Sequence, residues 1–170
     1  MKLKVPKDIR PTSSKVKEAI FSVLRGYLSR YENLNCLDLF AGSGALGLKA
    51  LEEGIDLCVF FDKSSCSIQA IKENIQKYKF EAKSKVLKKD VLKFEFTENF
   101  DLIFADPPYS LNKDEVEIIF EKVRRVLNPR GIFVFEFSSR FDFLQINVGF
   151  ELLQKKIYGD TTVCFFSLPE

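Results

Sequence analysis

The feature that most limits what this chain can fold into is the stretch 35–47, N-C-L-D-L-F-A-G-S-G-A-L-G. Residues 36–39 form an apolar run of strand length, glycines 42, 44 and 47 form a turn, and the helix-favouring A-L-G-L-K-A-L follows. Strand, tight turn and helix in that order predict the opening unit of an α/β sheet. Glycine lets the backbone turn sharply and approach a ligand, and the start of the helix aims free N–H groups and a positive dipole end at it.

The rest of the chain repeats the alternation. Val16, Ala19, Ile20, Val23, Leu24, Tyr27 and Leu28 recur at steps of three and four, which predicts a helix over about 15–30 with Thr12, Ser13 or Ser14 as its cap. A strand over 56–61 ends at Asp62, and the next helix buries Ile68, Ile71, Ile75 and Tyr78. Residues 83–88 make a weaker strand with Asp90 just beyond it, and 102–105 a buried one stopped by Pro107 and Pro108. A helix from about Lys113 breaks at 128–131, a fifth strand covers 132–137, and 150–157 and 162–168 close the chain as two strands joined by a turn. Such alternation implies a mostly parallel sheet with helices on both faces, and a ligand at the carboxyl ends of the strands. Asp38, Asp62, Asp90 and Asp106 all stand at or just past such ends.

Gly42-x-Gly44-x-x-Gly47 alone suits a dinucleotide as well as the nucleoside of S-adenosylmethionine. Asp38, four residues earlier, suits a ligand carrying an ammonium and a sulfonium and sits badly beside a pyrophosphate. Further on, Asp106-Pro107-Pro108-Tyr109 offers a carboxylate and a carbonyl fixed by proline rings, to which a planar amine can donate two hydrogens. Those bonds favour a pyramidal nitrogen with its lone pair exposed, and orientation toward an activated methyl group supplies about 7–11 kcal/mol in the best cases. Tyr109 offers a stacking face for a base, worth about 1–3 kcal/mol.

Composition narrows the chemistry. With no histidine, His-based triads and most zinc chemistry are excluded, and no metal is expected. Cys36, Cys58, Cys66 and Cys164 are far apart, which suits reduced thiols of a cytoplasmic protein. No run reaches membrane-spanning length, and M-K-L-K-V-P-K-D lacks the apolar region of a signal peptide. At 170 residues the chain suits one domain, residues 1–170, with 1–13 as a basic arm. Residues 1–30 hold eight Lys and Arg against Asp8 and Glu18, net +6 in a chain of net +2, a plausible footprint for nucleic acid.

These motifs resemble the class I S-adenosylmethionine-dependent methyltransferases that modify amino groups, and the chain is most similar to the RsmD family, which methylates N2 of a guanine in small-subunit (16S) ribosomal RNA. The resemblance lies in R-P-T-S-S-K-V-K-E-A-I-F-S-V-L (10–24), L-D-L-F-A-G-S-G-A-L-G-L-K-A-L (37–51), I-K-E-N-I (71–75), D-P-P-Y (106–109) and Y-G-D-T (158–161). It implies a Rossmann-like class I methyltransferase fold with an antiparallel C-terminal strand, S-adenosylmethionine as cofactor, and ribosomal RNA or the assembling small subunit as partner of a monomer. It implies that Asp38, Phe40, Ala41, Gly42, Ser43 and Gly44 hold the methionine part. Asp62 and Lys63 would then meet the ribose, and Asp90 and Val91 the adenine. Asp106, Pro107, Pro108 and Tyr109 would receive the guanine, with Arg10, Pro11 and Thr12 lining the pocket. Family members usually have Glu at the ribose position and Asp two residues on, where this chain has Asp62 and Ser64. They also usually begin with a basic strand pair ahead of the K-L-x-V-P that here starts at Lys2. Three other readings stay open: an adenine-N6 DNA methyltransferase, a dinucleotide-dependent reductase, and a catalytically inactive RNA-binding module of methyltransferase fold.

Overall fold

Alternation of apolar residues, with period two in the strands and about 3.6 in the helices, sets which side of each element is buried. A computed structural model describes residues 1–141 and 149–170. In chain order the elements are α1 (Ser14–Leu28), β1 (Asn35–Leu39), α2 (Ala45–Glu52), β2 (Leu57–Asp62), α3 (Ser65–Lys77), β3 (Ser84–Lys88), β4 (Phe100–Ala105), α4 (Lys113–Val126), β5 (Leu127–Ser138), β6 (Glu151–Tyr158) and β7 (Thr161–Ser167). The seven strands form one sheet in the order β3-β2-β1-β4-β5-β7-β6. β1 to β5 pair in parallel, and β7 runs antiparallel to both its neighbours.

The caps follow local chemistry. Ser13 accepts from the Val16 N–H at the start of α1, and Ser64 accepts from Ser67 N–H at the start of α3. Asn112 and Glu115 form a reciprocal capping box on α4. Some boundaries differ from the sequence expectation. The helix does end before 128–131, but β5 starts at Leu127 directly after α4, and 128–131 form a bulge in it: Phe100 pairs with Leu127 and Leu102 with Ile132. Asp56 lies outside β2 and ties the strand starts together by accepting from the Leu34 N–H. On α3 the buried positions are Ser67, Ala70, Ile71, Asn74 and Ile75, so Ile68 and Tyr78 lie at the margin of the stripe.

Each face of the sheet has its own core. Cys36, Cys58, Phe60, Leu102, Phe104 and Val134 pack under α1, α2 and α3, while Leu37, Phe61, Ile103, Phe133 and Phe135 pack under α4. In β1, β2, β4 and β5 the even-numbered positions therefore face α1 to α3, an alternation that decides which acids meet.

Candidate active site

The strand order reverses at β1, which lies between β2 and β4, and ligands bind at such a switch point in open α/β sheets. Leu39 is level with Ala105 and Phe61, so the Gly-rich loop and the D-P-P-Y segment leave neighbouring strand ends. Adjacent strands lie about 4.8 Å apart. Asp106 and Gly42 thus share one end of the sheet, as in-line transfer between their ligands requires.

Register also sorts the carboxylates into layers. Asp38 is level with Phe60 and Phe104 and shares their face; two residues further along the parallel strands come Asp62, Asp106 and Glu136. Asp38 is thus overlain by acids on both sides. Burial pushes its carboxyl well above the usual range, the Gly47 N–H draws it back, and the charges of Asp106 and Asp62 push it further up.

In the loop, Phe40, Gly42 and Gly44 all have left-handed backbones (φ 56°, 59° and 79°). For Phe40 that costs about 1–3 kcal/mol, strain of the kind found at ligand loops. The Gly42 N–H donates to Asp62 (2.9 Å), which also accepts from the Ser64 N–H (2.8 Å). Each carboxylate oxygen keeps a second lone pair for a hydroxyl. Gly47 is not part of the turn, as expected from sequence, but the third residue of α2. A Cβ there would strike the Phe60 ring and lie 2.7 Å from the Cys58 Sγ, so Gly47 is needed for the helix to approach the sheet. Its N–H donates to Asp38 (2.9 Å), which fastens α2 to β1.

On the other side of β1, Asp106 is half-buried, Pro107 buried, and Pro108 and Tyr109 exposed, with Tyr109 55% accessible. Burial raises the Asp106 carboxyl to about 7, against the pull of the Arg10 charge and the Thr12 hydroxyl. The arm therefore reaches the D-P-P-Y segment. It is held by Asn74 of α3, which accepts from the Lys4 N–H (2.8 Å) and donates to the Lys4 and Ser43 carbonyls (2.9 Å each). Sequence reasoning missed this joint, although an Asn inside the apolar stripe of I-K-E-N-I was its signal. Not all the basic charge near the N-terminus is free: Lys4 pairs with Glu73, and Arg25 with Glu18 and Glu53.

The remaining candidates are more dispersed. Ala41 and Ser43 are buried in the loop, and Lys63 is exposed just past β2. Asp90 lies beyond the edge strand β3, where it accepts from the Leu92 N–H (3.0 Å). The Val91 side chain packs into the core on the α4 face, which leaves its backbone to meet a ligand. Pro11 is exposed between Arg10 and Thr12. Glu136 was also missed; an acid inside the apolar run V-F-E-F marked it. It is 7% exposed, and burial, then the Asp106 charge, lifts its carboxyl to about 8 while Arg10 draws it down.

Among the described residues, no helix is long and apolar enough to cross a membrane, and no group of His, Cys, Asp or Glu is arranged to hold a metal.

A sheet in this order, with a Gly-rich loop after its central strand and an acid-Pro-Pro-Tyr segment after the neighbour, is a class I methyltransferase fold. The solved ribosomal protein L11 methylase of Lactobacillus delbrueckii subsp. bulgaricus shares it, with a TM-score of 0.75 at 18% identity over 99% of this chain and 86% of that one. The model of the family described as conserved hypothetical protein 95 matches residues 1–167, and the chain belongs to that family, the RsmD family. YlbH of Bacillus subtilis is 30% identical over 162 residues, covering 92% of this chain and 86% of the relative. Ribosomal RNA small subunit methyltransferase D of Haemophilus influenzae is 32% identical over 133 residues, covering 75% of this chain and 67% of the relative.

Proposed function

We propose that this protein transfers a methyl group from S-adenosylmethionine to the N2 amine of a guanine in small-subunit ribosomal RNA. The observation that carries the reading is the shared strand end: Asp106 and the Gly42 loop leave paired strands at Leu39 and Ala105. Relatives named as ribosomal RNA methyltransferases favour RNA as the substrate.

The donor set fits the cofactor. Asp38, Asp62 and Asp106 crowd three carboxyls into a partly dry place, where burial and neighbouring acids oppose the negative charge of Asp38. A ligand with an ammonium and a sulfonium relieves that charge, while a pyrophosphate would add to it, which disfavours the dinucleotide reading. Asp62 has lone pairs for ribose hydroxyls, and the backbone of Phe40 to Gly44 is shaped for close approach. When bound, S-adenosylmethionine supplies a methyl group made electrophilic by its sulfonium.

The protein's share is positioning. Asp106 and the Pro107 carbonyl accept the two amine hydrogens, which turns the nitrogen lone pair toward the neighbouring strand end. Tyr109, largely exposed, stacks on a guanine that has been unstacked from its RNA. The Arg10 charge draws the Asp106 carboxyl down against its burial, toward the ionised form that accepts the amine hydrogen. Asp106→Ala is expected to bind S-adenosylhomocysteine in calorimetry as the parent does, and to lose about 100-fold or more in transfer of labelled methyl to small-subunit RNA. Normal turnover in that variant would defeat the mechanism.

A further inference from the structure

Glu136 has no part in the scheme above. It projects from β5 onto the face covered by α1 to α3, one strand across from Asp106 and level with it, since Ala105 pairs with Phe135. Its side chain is 7% exposed, and its Oε2 is buried without a hydrogen-bond partner among the described residues. A buried, unpaired carboxylate oxygen costs stability, about 1–3 kcal/mol or more, whereas an apolar residue would fill the same place between Val134 and Ser138 without that cost. The two faces of β5 at this height belong to Phe135 and Phe137 on one side and to Glu136 alone on the other, so no packing need calls for an acid here.

What meets it is decided by the chemistry of the base. The edge of guanine that carries the N2 amine also carries N1–H beside it, two donors side by side. Adenine, next to its own amine, has an N1 lone pair instead. A carboxylate only accepts while ionised. Two carboxylates on adjacent strand ends therefore match two adjacent donors of guanine and repel the donor–acceptor edge of adenine. Asp-Pro-Pro-Tyr by itself suits either amine, so the choice between bases needs another group. Arg10 draws down the carboxyls of both Asp106 and Glu136 against their burial, so the accepting pair forms as pH rises through about 7 to 8.

We propose that Glu136 is the specificity-determining residue of the target pocket, its buried carboxylate accepting N1–H of the guanine whose N2 amine is held by Asp106 and the Pro107 carbonyl. This rests on the methyl-transfer reading and adds to it the residue that selects the base.

The test uses the full chain, S-adenosylmethionine and two synthetic RNA fragments spanning the methylated position, one with guanine there and one with 2-aminopurine, which keeps the N2 amine but has no hydrogen on N1. The wild type is expected to prefer guanine in kcat/KM by about 100-fold or more, as sites built to pair a donor reject analogues that lack it. Glu136→Gln offers an amide N–H to the bare N1 of 2-aminopurine, so its preference is expected to shrink by about 10-fold or more, with guanine transfer falling and 2-aminopurine transfer held or raised. Glu136→Asp, which keeps the carboxylate, retains the preference for guanine. Equal losses on both RNAs in Glu136→Gln, or an unchanged ratio, would overturn the assignment while leaving methyl transfer in place. A wild type that methylates neither RNA overturns both readings. Calorimetry with S-adenosylhomocysteine checks that each variant is folded; should Glu136→Gln fail it, the ratio in Glu136→Met decides, a reduced preference supporting the proposal and an unchanged one overturning it.

Discussion

Asn74 joins the two halves of the site, and its removal gives the sharpest test of how the arm is held. The side chain is 1% exposed and makes three hydrogen bonds, two to the Lys4 backbone and one to the Ser43 carbonyl in the Gly-rich loop. At about 1 kcal/mol net for each bond, Asn74→Ala loses about 3 kcal/mol. The Lys4 groups can turn to water once the arm lifts, but the Ser43 carbonyl belongs to a residue only 5% exposed and stays short of a partner. For a chain of this size that loss lowers the thermal midpoint by about 6–12 °C. Lifting the arm also takes Arg10 and Thr12 from Asp106, so methyl transfer should fall by more than the stability loss accounts for at a temperature where the variant is folded. Hydrogen exchange supplies the local readout: the Lys4 amide should lose its protection while the amides of β1 keep theirs. Lys4→Ala is the control, because among the described residues the Lys4 side chain makes only an exposed pair with Glu73, worth about 0–1 kcal/mol. A midpoint for Asn74→Ala within about 2 °C of the parent, or a Lys4 amide still protected in it, would refute the account.

Other outcomes follow from the same geometry. Gly47→Ala should cost at least about 1–3 kcal/mol in urea unfolding, because the new Cβ meets Phe60 and Cys58, whereas Gly26→Ala, with nothing within 4 Å in the last turn of α1, should stabilise by up to about 0.5 kcal/mol. The kcat/KM profile should rise with pH between about 7 and 8 as the raised Asp106 and Glu136 carboxyls ionise. Arg10 pulls both carboxyls down, so Arg10→Ala should move the rising limb to higher pH; a limb that stays put, or moves to lower pH, contradicts the placement of Arg10.

How far the sequence can be read depends on the range of the interaction. The strand–turn–helix at 35–52, a hydroxyl cap for α1 within 12–14, and the stop after β4 are set by residues next to one another in the chain, and each was legible there. So were the acids at the strand ends, because a parallel α/β sheet directs its carboxyl ends to one side. The D-P-P-Y segment and the Gly-rich loop could be read as parts of one pocket for the same reason, and the pairing of β1 with β4 brings their ends together.

The rest needed the tertiary structure. Whether Gly47 serves the ligand or the packing depends on Phe60 and Cys58, which arrive from β2. Asn74 reads as one more helix residue until the arm, some 70 positions earlier, lies across it. Glu136 becomes a site residue only when register sets it beside Asp106, because burial and neighbouring charge, which decide whether a carboxyl is a surface group or a functional one, are properties of the folded neighbourhood and not of the residue.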